Sequence, residues 1–221
     1  MKVTLKTLTP NTEINIVEIA RVSSDKEDKS LAPEKLLKYL LDHKHFSPFE
    51  HSYMTIEIIT SRAIGAQLLR HRSFTFQEFS QRYSVVVGYE DIELRKQHSK
   101  NRQSSEEVFD PQIEYAGQMI SASEAINKHL AESVQLYHKL IDAQVAKETA
   151  RFILPLSSQT KIYMTGSIRS WIHFLEIRDD QHAQKEIQLI AKEIKKIFIE
   201  HLPIISKFLG YDKNLLSHKL P

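Results

Sequence analysis

The sequence predicts a mixed α/β (α+β) fold in which helices outweigh strands. Two observations carry that expectation. Short stretches with strand-like alternation or β-branched residues, 3–9, 52–60 and 161–166, are separated by long helical stretches. Apolar residues from Met119 to Val145 recur at intervals of seven, four, four, three, four and four, the spacing of one long amphipathic helix. The chain has 221 residues, 41% hydrophobic and 26% charged, which suits a single domain over 1–221 whose core needs no covalent staples.

In chain order, VTLKTLT (3–9) alternates as a strand does. Pro33 sits near the first turn of a helix over 32–43, with Leu36, Leu37, Tyr39 and Leu40 as its apolar stripe. SYMTIEIIT (52–60) reads as a strand. SRAIGAQLLRHR (61–72) reads as a helix capped by Ser61, with Ile64, Leu68 and Leu69 on one face. VVVGY (85–89) begins a further strand, whereas the polar stretch 90–110 is the least ordered candidate. The long helix carries Ile126, Leu130, Val134, Tyr137 and Ile141 and ends before Pro155. KIYMTG (161–166) is a short strand. SIRSWIHFLEIR (167–178) is a helix with Ile168, Trp171, Ile172 and Leu175 inward. Ile187, Ile190, Ile194 and Ile197 mark a last helix stopped by Pro203. No internal repeat is visible.

Composition excludes several classes. A net charge of +2 is weaker than the basic bias of a dedicated nucleic-acid binder, so no nucleic-acid partner is expected. The chain has no cysteine, which rules out disulfides, thiolate metal sites and thiol nucleophiles. No signal-peptide run and no stretch near the ~18 apolar residues of a membrane span occur, so the expectation is a cytoplasmic protein with no membrane partner. HKH (43–45) lacks a carboxylate or second histidine at helical spacing, and no metal is expected.

The densest chemistry lies in RHRSFTFQEFSQRYS (70–84). Arg70, Arg72 and Arg82 offer planar forks of donors that match phosphate oxygens, and Thr75, Ser80 and Ser84 add hydroxyls. Phe74, Phe76 and Phe79 suit stacking on a planar ring or exclusion of water. The sum fits a heterocycle bearing phosphates. The same residues also fit a helix end with solvated arginines and phenylalanines that simply pack.

RHR, seven further residues and Ser80 resemble the signature of the flavin-dependent thymidylate synthases. RVS (21–23), PFEH (48–51), Gln67, ARFILP (150–155) and TGSIRSWIHFLEIR (165–178) resemble that family's segments in its order, so the resemblance spans about residues 20–200. It implies a twisted, mainly antiparallel sheet flanked by helices. It implies conversion of dUMP to dTMP, with methylenetetrahydrofolate as carbon donor and FAD, re-reduced by NADPH, as hydride source. It further implies a homotetramer with sites shared between subunits.

The resemblance also assigns residues. Arg70, His71 and Arg72 match the flavin-contacting RHR, and Gln67 and Arg70 match positions reaching dUMP from a neighbouring subunit. Glu78, Ser80, Gln81 and Arg82 match the loop that holds dUMP, with Glu78 beside the ribose or flavin. Arg151 matches a second nucleotide-contacting arginine. Ser167, Ile168, Arg169 and His173 match flavin-contacting positions, with asparagine familiar where Ser167 and His173 stand. His51, Tyr53 and Ser23 match positions near the cofactor. Arg178 is the expected catalytic residue, its counterpart lying against the uracil edge. Ser80 binds in this reading, and a Ser80 nucleophile is the alternative. Two other readings stay open: a related flavoprotein with an altered nucleotide substrate, and a non-catalytic nucleotide binder. Arg169 and Arg178 are nine residues apart, so an unbroken helix would turn them to opposite sides.

Overall fold

The computed structural model describes residues 1–23, 32–85 and 88–211. Its elements in chain order are β1 (Lys2–Leu8), α1 (Thr12–Ala20), α2 (Pro33–Asp42), β2 (Tyr53–Ser61), α3 (Arg62–Leu68), β3 (Thr75–Glu78), β4 (Arg95–Gln97), β5 (Ser105–Val108), β6 (Gln112–Tyr115), β7 (Gln118–Ser121), α4 (Ala122–Asp142), α5 (Lys147–Ala150), β8 (Gln159–Ser167), α6 (Ile168–Arg178), α7 (Lys185–His201) and α8 (Pro203–Leu209). Short 3-10 turns occur at Arg21–Ser23, Ser47–His51 and Arg151–Ile153. The mixed α/β class expected from the sequence holds.

Four strands form one sheet in the order β1-β2-β8-β3. β2 and β8 run antiparallel: Ile168 N–H bonds Ser52 O, and Arg62 N–H bonds Ser158 O. The two strands share one design. Alternate residues are buried, Met54, Ile56, Ile58 and Thr60 on β2 and Thr160, Ile162, Met164 and Gly166 on β8. Each strand ends on a serine in extended conformation whose Oγ accepts the amide three residues on, Ser61 from Ile64 and Ser167 from Ser170. The hydroxyl satisfies an amide that the first helical turn leaves unpaired, so the chain passes from strand to helix at that residue. Alternation, one isoleucine (Ile56 and Ile162) and the final serine are common to the two strands, too little to register as a sequence repeat.

Two compact units make up the chain. One comprises Met1, Ile59–Arg70 and Glu78–Ile162, and the other Lys2–Ile58, His71–Gln77 and Tyr163–Pro221. In the first, buried Tyr137 and Ala150 gather Phe79, Val85, Leu140, Ile141 and Leu154. In the second, Ile16, Leu37, Phe49, Trp171, Phe174, Ile190, Ile194 and Phe198 are fully buried. Trp171 Nε1–H donates to Met54 O at 3.0 Å. The Phe74 ring meets Trp171 edge-on, centroids 4.7 Å apart. Phe74 also lies directly on Gly166, where an added Cβ would come within 2.5 Å of ring carbons. Glycine is needed there for close approach. Glu13 accepts the Ile205 amide at 2.8 Å across 192 positions of chain.

Several expectations need correction. The stretch 90–110 contains the antiparallel hairpin β4–β5, and a second hairpin, β6–β7, follows. Ala116 and Gly117, both at positive φ, form the two-residue turn of the latter. The long helix therefore starts at Ala122, and Met119 lies in β7, exposed. The helix after Ser61 ends at Leu68, and the aromatic stretch beyond it supplies β3. Tyr39 is exposed rather than part of its helix's stripe, and packs on His43 and His45 instead. Pro203 ends one helix but also begins α8. Of VVVGY, Val86 and Val87 lie outside the described residues, and Tyr89 forms an isolated bridge to Ser158.

Candidate active site

In the second unit, α6 presents three site candidates along its length. Ser167 caps it, and the Ser167 hydroxyl also donates to Glu50 Oε2. Ile168, Trp171, Ile172, Phe174 and Leu175 are buried and fix the helix by its apolar face. Arg169 lies in the first turn, His173 in the middle and Arg178 at the end, where the helix dipole favours a cation. The helix is continuous from Ile168 to Arg178, and its two arginines hold different partners. Arg169 pairs with Glu50, and Arg178 Nε–H donates to His71 Nε2 at 2.9 Å.

The Arg178 bond settles the state of His71. A ring nitrogen that accepts from guanidinium must carry a lone pair, so the imidazole is neutral with its proton on Nδ1. Burial, then the charges of Arg178 and His173, push the His71 pKa down to about 4. Phe174 and Phe74 meet the ring edge-on at 4.9 Å and 6.2 Å. A folded pKa below the unfolded value of about 6.5 means that the unfolded chain takes up this proton first. Stability is therefore full above about pH 6.5 and falls as pH drops toward about 4, by roughly 1–3 kcal/mol after allowance for partial exposure. His71 ring resonances followed by NMR in flavin-free protein are expected to titrate near pH 4; a midpoint near 6.5 would break this account.

Glu50, Arg169, Ser73, His173, Glu176 and Phe46 line a cavity of about 300 Å³. Burial alone would raise the Glu50 carboxyl, but Ser167 and Arg169 outweigh it and hold the group below its usual range. His173 is exposed, 3.8 Å from Glu176. The Ile168 amide is engaged by Ser52 O and is not available to a ligand. His51 and Tyr53 are exposed; His51 joins His45, Leu40 and Pro48 around a second cavity of about 290 Å³. Ser23 ends the Arg21–Ser23 turn. Arg72 is exposed, and its guanidinium has no partner among the described residues. Beyond the end of α6, the His182 amide and Nδ1 both bond Asp180.

In the first unit, Gln67 and Arg70 sit at the end of α3, and the Arg70 side chain has no partner among the described residues. Glu78 Oε1 accepts from Thr160 Oγ1 at 2.8 Å and lies 3.5 Å from Arg62. Residues 80–84 form a turn in which the Tyr83 and Ser84 amides both bond Ser80 O. Ser80 Oγ accepts the Arg82 amide at 3.4 Å, and no imidazole or carboxylate among the described residues bonds it. A serine nucleophile needs such a base. Gln81 is buried, with its Nε2 unpartnered among the described residues.

Arg82 belongs to this turn, Lys147 reaches it, and Arg151 shares Glu148 with Arg82. Arg82 lies 3.6 Å from Glu148, Arg151 Nε–H bonds Glu148 O, and Lys147 Nζ bonds Tyr83 O. Lys147 and Glu50 escaped sequence reasoning. The spacing of Lys147 four before Arg151 was a usable signal; Glu50 offered none beyond its place in PFEH.

A family model, Thymidylate synthase complementing protein, matches residues 4–204. The chain is 45% identical over 200 residues to the probable flavin-dependent thymidylate synthase of Paramecium bursaria Chlorella virus 1, with 89% of each chain covered. It is 44% identical over 196 residues to the flavin-dependent thymidylate synthase of Synechocystis sp., covering 89% of this chain and 88% of that one. It is 37% identical over 194 residues to that of Thermosipho melanesiensis, covering 86% and 82%.

Proposed function

Because this chain belongs to the thymidylate synthase complementing protein family, we propose that the Ser80–Arg82 turn grips the phosphate of dUMP and that Arg178 faces the pyrimidine, in a site shared between copies of the chain. The protein is a flavin-dependent thymidylate synthase, with dUMP, methylenetetrahydrofolate and NADPH as substrates and FAD as cofactor. With no cysteine, the chain has no thiol with which to attack the pyrimidine. Reduced flavin, when bound, supplies the hydride.

The observation that carries the reading is a hydroxyl-bearing turn that holds Arg82 and is bonded by Lys147, with Arg151 linked to it through Glu148. Such a set suits a phosphate dianion, with Ser80 as an additional donor. The cofactor set fits a flavin dinucleotide in charge. Arg70 and Arg72 are exposed cations without partners among the described residues, and Arg169 faces a cavity with Glu50 balancing it. Arg72, Arg169 and the Nδ1–H of His71 would hold its pyrophosphate and polar ring edge, while His173 borders the same cavity and Arg70 would reach the site of a neighbouring copy. A cavity of about 300 Å³ is at the low end for even a drug-sized ligand, so one chain encloses only part of a dinucleotide. That supports a homotetramer with sites completed by neighbouring copies.

No helix among the described residues is long and apolar enough to cross a membrane. A cysteine-free enzyme of nucleotide synthesis suits the cytoplasm. Tritium release from 5-tritiated dUMP, dependent on methylenetetrahydrofolate and NADPH, tests the function. Arg82→Ala and Arg151→Ala are expected to raise KM for dUMP roughly 10- to 100-fold each, with flavin absorbance unchanged. Colourless protein without tritium release would end the reading, and unchanged KM in both variants would move the phosphate elsewhere.

A further inference from the structure

Asp179 follows Arg178 and caps α6, its amide bonded to Leu175 O. Its carboxylate bonds Lys195 Nζ on α7. Both side chains are nearly out of solvent, 10% exposed for Lys195 and 15% for Asp179. Lys195 interrupts an otherwise apolar buried stripe of Ile187, Ile190, Ala191, Ile194 and Phe198. Its ammonium lies 4.7 Å from the centroid of the buried Tyr211 ring. An apolar pair of similar volume would hold α6 on α7 at least as well, because withdrawing two charges from water opposes folding. What an ion pair adds is register: the carboxylate has one place to go, and the helix end goes with it.

We propose that Lys195 is a positioning residue which, through Asp179, fixes the last turn of α6 and thereby holds the Arg178 guanidinium against His71. The proposal rests on the reading that Arg178 faces the pyrimidine. Neither Lys195 nor Asp179 need touch any ligand. Without the pair, Asp179 is free to turn toward solvent or toward Arg178 itself, its neighbour in sequence.

Two variants separate positioning from stability. Lys195→Met leaves a buried carboxylate unpaired and is expected to lower the thermal midpoint. Asp179→Asn/Lys195→Met removes both charges and is expected to recover most of that loss. In the double variant kcat is expected to fall about 10- to 100-fold, the scale of a misplaced catalytic group. KM for dUMP and flavin content should not change. In flavin-free protein the His71 titration midpoint should rise from about 4, because one of the charges that depress it has moved. A double variant with normal kcat and an unmoved His71 midpoint overturns the proposal. Should the double variant melt early, the His71 midpoint measured below its melting temperature decides in the same way. The two failures are distinguishable: normal turnover in Arg178→Ala sinks the reading of Arg178, whereas an impaired Arg178→Ala beside a normal double variant sinks only the role of Lys195.

Discussion

Arg178→Ala is expected to lower turnover by about 10²–10³ while FAD stays bound. The guanidinium is half-buried at the end of α6, and its Nε–H is directed at a neutral imidazole. That bond fixes the plane of the fork without neutralising its charge, because His71 carries none. The Asp179 carboxylate next in sequence is itself engaged by Lys195. In the proposed role, a cation fixed in this way stabilises negative charge that develops on the pyrimidine as hydride reaches it, with no reorganisation needed at that moment. Arg178→Lys should recover little, because an ammonium lacks both the Nε–H and the planar fork. Single-turnover rates with pre-reduced flavin read the step directly. Near-normal rates in Arg178→Ala would falsify the assignment.

Trp171→Ala carries the largest expected loss of stability, about 3–5 kcal/mol. The indole is fully buried, edge-on to Phe74 at 4.7 Å and to Phe174 at 5.7 Å, and it donates to Met54 O. Truncation opens a cavity and leaves that carbonyl without its donor. Relaxation into the space is restricted, because Phe74 is already pressed onto Gly166 and cannot follow the missing ring without leaving it. For a chain of this size the loss corresponds to a melting temperature lower by roughly 6–20 °C. Trp171→Phe keeps most of the packing and should fall between. Denaturant titration giving a loss below about 1 kcal/mol for Trp171→Ala would show that the cluster repacks around the missing ring.

Elements with a strong inside–outside rhythm were legible. β2, β8, α6 and α7 each bury one face, and burial imposes the period that the sequence displays. The hairpins over 95–121 were not. Their strands, RKQ, SEEV, QIEY and QMIS, bury almost nothing and are held by backbone hydrogen bonds, which leave no hydrophobic pattern. Gly117 was the one local signal of a tight turn. At the site, the basic–aromatic window was visible from residue types alone, whereas Arg178 needed the family resemblance, because one arginine at a helix end is ordinary. The asparagine-to-serine difference at residue 167 also becomes intelligible. Both residues are favoured helix caps, and capping α6 is what Ser167 does. Asp179 and Lys195 are 16 residues apart on separate helices, a spacing that carries no local signature.

The bond from the Ile205 amide to Glu13 closes a loop of 192 residues. α1 therefore contributes its carboxylate to a helix that is synthesised long after it. Until then α1 lacks this partner, and β2 likewise waits for β8. Assembly of the second unit depends on contacts distant in sequence and is correspondingly slow. A nascent chain arrested before Ile205 would lack the amide that Glu13 accepts and would leave apolar faces of its earlier elements uncovered.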